Sequence, residues 1–193
     1  MTLEKIERRS RSGLRAWASS RFLRYHGRQH MDIVSHGLWG SLAFGRKSRQ
    51  SFWLAFLFGV CPDLLAFGPF LFLTFLGLEQ RPRFAEPPDP NIFPAFVHQT
   101  YNVTHSLIIF AILFGVLWLI FRRPIWEFSA WALHILVDIP THSYRFFPTP
   151  FLWPVSNFRV DGHPWATPEI FIPDVISLVI LYAWFFSRRP WKS

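Results

Sequence analysis

The sequence predicts an all-α membrane protein, a polytopic helical bundle with about four or five spans. Hydrophobic residues make up 51% of the 193 residues and aromatic residues 19%, which is unusual for a soluble domain. Charged residues are only 17% of the chain, and the basic ones stand in groups between long apolar stretches. We expect one of the apolar segments to be re-entrant or kinked.

The chain divides at residue 30. Residues 1–30 are rich in arginine, and we expect an interfacial amphipathic helix or a disordered, solvated tail. Residues 31–193 are predicted to form one membrane-embedded helical domain. Its first apolar segment, 31–45, is short, because a spanning helix needs about 20 residues. The second, 51–78, is longer than a span requires, and we expect it to kink or divide near Pro62.

Three further apolar segments follow, at 96–121, 125–139 and 170–186. The proline-rich stretches 79–95 and 140–169 are predicted to be loops. We expect the helix before the second loop to end at Ile139, because Pro140 disfavours the helical conformation of the residue before it.

The formal net charge is +8, and the basic residues flank apolar segments. This pattern fits lipid headgroups and membrane topology, so we expect membrane lipid and a lipid-like substrate as partners, and no nucleic acid. The expected location is the plasma (inner) membrane of a prokaryote, and the oligomeric state stays open. The single cysteine, Cys61, excludes an internal disulfide.

Carboxylates inside the apolar segments are the main functional signal. A charged side chain at mid-membrane costs about 2.5–3.5 kcal/mol on insertion scales, so such residues are functional candidates. Asp63 follows Pro62 with no basic residue nearby in its segment. His134 and Asp138 share one helix face, and a carboxylate near a helix C-terminus is disfavoured by the helix dipole. A bound metal ion would compensate both carboxylates.

Histidines accompany these carboxylates in other segments. Asp32 and His36 share a helix face, and His105 stands between Thr104 and Ser106, whose hydroxyls could orient it. Structural alternatives are a capping role for Asp32, a neutral hydrogen-bonded Asp63 and a core histidine at position 105. Further residues predicted to support the ligands or contact substrate are His98, Thr141 and His142.

Ligands of this kind suit Zn²⁺ best, with Mn²⁺ or Fe²⁺ as alternatives. The predicted ligands outnumber four, so either two ions bind, or one ion binds and the remaining residues act as base and support. The predicted metal ligands are His36, Asp63, His105, His134, Asp138 and Asp32. Asp63 and Asp138 are also the predicted catalytic residues, each able to act as a general base if it is not a ligand.

Over about residues 31–160, five short motifs stand in a recognisable order: Asp32-x3-His36, Pro62-Asp63, Thr104-His105-Ser106, His134-x3-Asp138 and Trp153-Pro154. This order resembles a family of predicted membrane-bound, metal-dependent hydrolases of the inner membrane, of the LexA-regulated type. The resemblance implies metal or catalytic roles for the His and Asp residues of these motifs. Ser35 stands where the family has threonine. The family's H-R pair is absent, and Arg145 or Arg159 could contact an anionic substrate instead.

The sequence therefore predicts an enzyme, a metal-dependent hydrolase that acts on an amphiphilic lipid or phosphoester through a metal-activated water. One alternative is a haem-binding electron carrier with axial histidines, which a Soret band would reveal. Another is a small ion or proton transporter that uses the buried Asp and His residues, which cation flux insensitive to chelators would reveal.

Overall fold

The structure, a computed structural model, describes residues 31–79, 92–188 and 191. Within these ranges the chain is all-helical, which confirms the predicted fold class. The helices are α1 Met31–Phe44, α2 Arg49–Phe75, α3 Ala95–Thr104, α4 Leu107–Phe121, α5 Ser129–Thr141 and α6 Pro168–Ser187. A short 3-10 turn, Trp126–Phe128, precedes α5. The basic segment 1–30 lies outside the described residues.

Two of these helices, α2 and α6, are long and apolar enough to cross a membrane. The bent pair α3 and α4 makes a third candidate if it counts as one span. The described residues therefore contain two or three candidate spans, fewer than the predicted number of about four or five. The difference arises from helix length, because α1 has 14 residues and α5 has 13. Helices like α2 and α6 are typical of membrane proteins.

Helix α2 does not divide at Pro62. It is one helix of 27 residues that contains both Pro62 and Pro69. A proline removes a helical hydrogen bond, but neighbouring helices can hold the backbone in place around it. At the start of α2, the Ser48 hydroxyl accepts a hydrogen bond from the Ser51 backbone N–H at 3.0 Å. This contact satisfies one of the free N–H groups of the first turn.

The predicted segment 96–121 is broken into α3 and α4, which meet at 59°. Ser106 begins the second helix, because its hydroxyl oxygen accepts from the Ile109 N–H at 3.2 Å. The same hydroxyl donates to the Trp153 carbonyl, which anchors the bend on the loop before α6. His105 thus lies at the end of α3, where the backbone leaves the helical conformation.

Helix α5 ends at Thr141 and not at Ile139, because Pro140 is accommodated in its last turn. The His142 backbone N–H donates to the Asp138 carbonyl at 3.0 Å and closes that turn. The preference of the residue before proline for extended conformations is outweighed here.

Small residues bring α1, α2 and α5 into close contact. A Cβ added at Gly59 would lie 2.6 Å from the His36 carbonyl oxygen, and one at Gly40 would lie 2.8 Å from the Ala55 carbonyl oxygen and the Ala130 side chain. Such close approach of backbones is typical of helix packing in membranes. It allows short side chains on these three helices to meet in one place.

Candidate metal centre

Five of the predicted residues meet in one buried cluster: His36 from α1, Asp63 from α2, His105 at the end of α3, and His134 and Asp138 from α5. Asp63 is the most exposed of these residues, and only 6% of its surface is accessible. We call this set of five residues the metal centre. The side chain of Asp32, the remaining predicted ligand, lies outside the described part of the chain.

Three ligand atoms form a nearly equilateral triangle. His105 Nε2 lies 3.1 Å from His134 Nε2, and Asp138 Oδ2 lies 3.3 Å and 3.2 Å from these two nitrogens. Asp63 Oδ1 is 3.4 Å from His105 Nε2 and 3.8 Å from His134 Nε2. Ligands bound about 2.1 Å from one ion lie roughly 3.0–3.4 Å apart in octahedral or tetrahedral sites. The observed spacing therefore fits a single ion.

The hydrogen bonds of the Nδ1 atoms determine the protonation of the Nε2 atoms, which face the centre. His134 Nδ1 lies 2.7 Å from the Gly59 carbonyl oxygen, and His105 Nδ1 lies 3.2 Å from the Tyr101 carbonyl oxygen. Because a carbonyl oxygen only accepts hydrogen bonds, each Nδ1 carries the ring proton. In a neutral ring, each Nε2 then has an unprotonated lone pair. Two lone pairs 3.1 Å apart cannot bond to each other. A cation between them would resolve this, and metal-bound histidines are oriented in the same way.

The second oxygen of Asp138 faces a different pair of histidines. Asp138 Oδ1 lies 2.9 Å from His36 Nε2 and 4.0 Å from His142 Nε2. The Tyr101 hydroxyl donates to the Phe147 carbonyl at 2.9 Å and lies 2.9 Å from His142 Nδ1. The hydroxyl proton of Tyr101 is already donated to the Phe147 carbonyl, so the hydroxyl oxygen accepts from His142 Nδ1–H. In a neutral ring, His142 Nε2 therefore also has an unprotonated lone pair.

Ordinary donors do not satisfy Asp138. Among the described residues, no backbone N–H, hydroxyl, lysine or arginine hydrogen bonds to either of its oxygens. Asp138 is 0% exposed, and the ion-pair contacts of Asp63 and Asp138 are with histidines alone in the same part of the chain. Two buried carboxylates without a cation would be costly, so the cluster is suited to hold positive charge.

The residues predicted to support the ligands divide into two groups. The Thr104 hydroxyl lies 3.0 Å from His105 Nδ1, within reach of a ligand as expected. Ser106 instead caps α4, and the Thr141 hydroxyl donates to a carbonyl of its own helix at 2.8 Å. His98 lies outside the centre and stacks on the ring of Phe147 in the neighbouring loop.

Two contributors to the centre were not predicted. Tyr101 stacks on His105 with ring centroids 3.8 Å apart and also contacts His142 through its hydroxyl. Its position four residues before His105, on the same helix face, was a usable signal. The Gly59 carbonyl, which orients His134, leaves no mark in a sequence.

No family model, curated protein or solved structure matches this chain. The resemblance to predicted membrane hydrolases therefore stays a hypothesis. The described residues do carry a buried set of histidine and aspartate atoms at the spacing of metal ligands. The chain is accordingly a candidate metal-binding protein with helices that could span a membrane.

Proposed function

We propose that this chain is a membrane-bound, metal-dependent hydrolase that acts on an amphiphilic lipid or phosphoester, in the plasma (inner) membrane of a prokaryote. The observation that carries the proposal is the pair of imidazole lone pairs, His105 Nε2 and His134 Nε2, 3.1 Å apart and flanked by buried carboxylates. Nitrogen and oxygen donors without a thiolate suit Zn²⁺ best and also accept Mn²⁺ or Fe²⁺.

His105, His134, Asp138 and Asp63 would hold one ion. A second position lies at the other oxygen of Asp138, which faces His36 and His142. One or two ions are therefore compatible with the donors present. When bound, such a metal acts as a Lewis acid and makes water a nucleophile at neutral pH.

The two predicted catalytic carboxylates differ in their surroundings. Asp138 is fully buried among imidazoles, so its role is to hold cations. Asp63 is more exposed, and its contact with His134 is the longest around the triangle, at 3.8 Å. If His105, His134 and Asp138 hold the ion without it, Asp63 is the better placed of the two carboxylates to accept a proton from water, as a general base requires.

The alternative functions receive less support from this geometry. The ring centroids of His36 and His134 lie 3.9 Å apart, and those of His105 and His134 lie 5.1 Å apart, which leaves no space for a haem macrocycle between them. Carboxylates beside the rings are also unsuited to haem. A transporter could use Asp63 and Asp138, and cation flux that persists under chelation would favour it.

The test is metal analysis of the purified protein. Wild type should carry one or two divalent ions per chain, and His134→Ala and Asp63→Ala should lose most of them, because each removes a ligand. His163→Ala, which changes an exposed histidine, is the matched control and should keep its metal. A screen of phosphoester and lipid substrates should then find activity that a chelator abolishes. A wild type without stoichiometric metal would overturn the proposal.

A further inference from the structure

A cavity of about 350 Å³ lies beside the metal centre. Its walls include His98, Tyr101, Asn102, Tyr144, Phe147 and Arg159. Tyr101 separates the cavity from the centre, because its ring stacks on His105 and its hydroxyl contacts His142. The cavity and the metal ligands are thus one side chain apart.

Among the described residues, the cavity wall carries one arginine and no carboxylate. Arg159 is half-buried, and among the described residues no carboxylate forms an ion pair with it. The guanidinium Nη2 donates to Asn102 Oδ1 at 3.3 Å, and its other N–H groups make no hydrogen bond to a side chain in the part of the chain that the structure describes. The neighbouring carboxylate of Asp161 accepts from the Tyr144 backbone N–H at 2.8 Å. Arginine in such a setting is suited to bind an oxyanion with two parallel hydrogen bonds.

The surrounding contacts hold this wall in place. The Tyr144 hydroxyl donates to the Arg159 carbonyl at 2.8 Å, which fixes the backbone that carries the guanidinium. His98 stacks on Phe147 with ring centroids 4.8 Å apart and planes at 12°. Because Asn102 Oδ1 accepts from Arg159, the Asn102 amide N–H groups are left as donors. The donors are therefore preorganised before any ligand arrives.

Exposed apolar side chains occur in the same loop as Arg159. Phe158, the neighbour of Arg159, is 61% exposed, and Val155 is 79% exposed. A pocket suited to bind an anion, in a loop with exposed apolar side chains, matches a molecule with an anionic head and an apolar tail. Of the two arginines that the sequence offered for anion binding, Arg159 lines the cavity, whereas Arg145 is exposed and is not among its lining residues.

We propose that this cavity binds a phosphate-type oxyanion, the head group of the amphiphilic substrate, next to the metal centre. The proposal rests on the proposed function and deepens it by naming the substrate class. Arg159 is the principal contact, and the Asn102 amide supplies further donors.

The test measures binding to detergent-solubilised, chelator-treated protein by calorimetry, so that no ion contributes. The probes are inorganic phosphate, short-chain phosphatidic acid and short-chain phosphatidylcholine. We expect Arg159→Ala to weaken phosphatidic acid binding by about ten-fold or more, because a charge-assisted contact is lost. Arg159→Lys should retain part of the affinity, and Arg145→Ala, the matched control, should stay within about two-fold of wild type.

The probes distinguish the possible sources of the oxyanion. Tighter binding of phosphatidic acid than of inorganic phosphate assigns the cavity to a lipid head group, and equal affinity assigns it to phosphate itself. Phosphatidylcholine, whose phosphodiester anion is paired with a choline cation, should bind more weakly than phosphatidic acid. Equal losses in the Arg145 and Arg159 variants would overturn the proposal. If wild type as purified carries no stoichiometric metal but still binds the anion in an Arg159-dependent way, the hydrolase is contradicted and this cavity assignment stands.

Discussion

Two aspartates in apolar helices of this protein, Asp174 and Asp138, have opposite hydrogen-bonding environments. Asp174 in α6 accepts from the Ser35 hydroxyl at 2.9 Å and from the Trp39 indole N–H at 2.7 Å. Asp138 in α5 has only imidazole nitrogens around its oxygens in the part of the chain that the structure describes. The first carboxylate joins two helices, whereas the second belongs to a cluster that could hold a metal ion.

This difference shows that an aspartate in an apolar segment is not by itself a sign of a metal. Hydroxyl and indole donors can satisfy a carboxylate completely, and charge-assisted hydrogen bonds of this kind are strong. What marks the centre is the absence of such donors together with histidines whose protons point away from the carboxylate. The same contrast can be tested by substitution.

The largest effect is expected from exchanging each carboxylate for an amide. Asp138→Asn should lower metal affinity by more than about 100-fold, because the triangle loses its anionic ligand. Asp174→Asn should leave the metal content unchanged, because its hydrogen bonds with described residues are to α1 donors outside the centre. Metal analysis of both purified variants measures the difference. Equal metal loss in the two would contradict the distinction drawn between the carboxylates.

A smaller effect is expected where α1 and α2 touch. Gly59→Ala would place a Cβ 2.6 Å from the His36 carbonyl oxygen, so the helices must separate. We expect a loss of about 1–3 kcal/mol in stability and weaker metal binding, because His36 moves away from Asp138. Gly115→Ala is the control, since no neighbouring atom lies within 4 Å of a Cβ there. Thermal unfolding in detergent tests this, and similar unfolding temperatures for both variants would refute it.

The smallest effect is expected from a change that weakens only the second ion position, at the oxygen of Asp138 that faces His36 and His142. Tyr101→Phe removes the hydroxyl that accepts from His142 and leaves the ring on His105. Affinity at the His36 and His142 side should fall by about 10-fold, as for other groups that orient a ligand, while the first ion stays bound. Titration of the metal-free protein with Zn²⁺ would show this as a change in the weaker of two binding steps. A single unchanged step would indicate one ion.

Much of the centre could be predicted because its ionisable side chains raise the free energy of inserting an apolar segment into a membrane. Asp63, His105, His134 and Asp138 stood out by residue type and by the lack of basic neighbours. Ser106 and Thr141, predicted to support the ligands, form hydrogen bonds with backbone of their own turn, as short hydroxyl side chains commonly do.

The sequence by itself determined the helical class, the apolar lengths and the ligand types, because these follow from composition and spacing. Only the tertiary structure decided which oxygen of Asp138 His36 contacts, that the third segment bends at His105, and that Asp138 stands between two pairs of histidines. Periodicity tells which residues share a face but not which faces meet. The partners that orient the histidines are partly backbone carbonyls, such as that of Gly59, which any residue could supply.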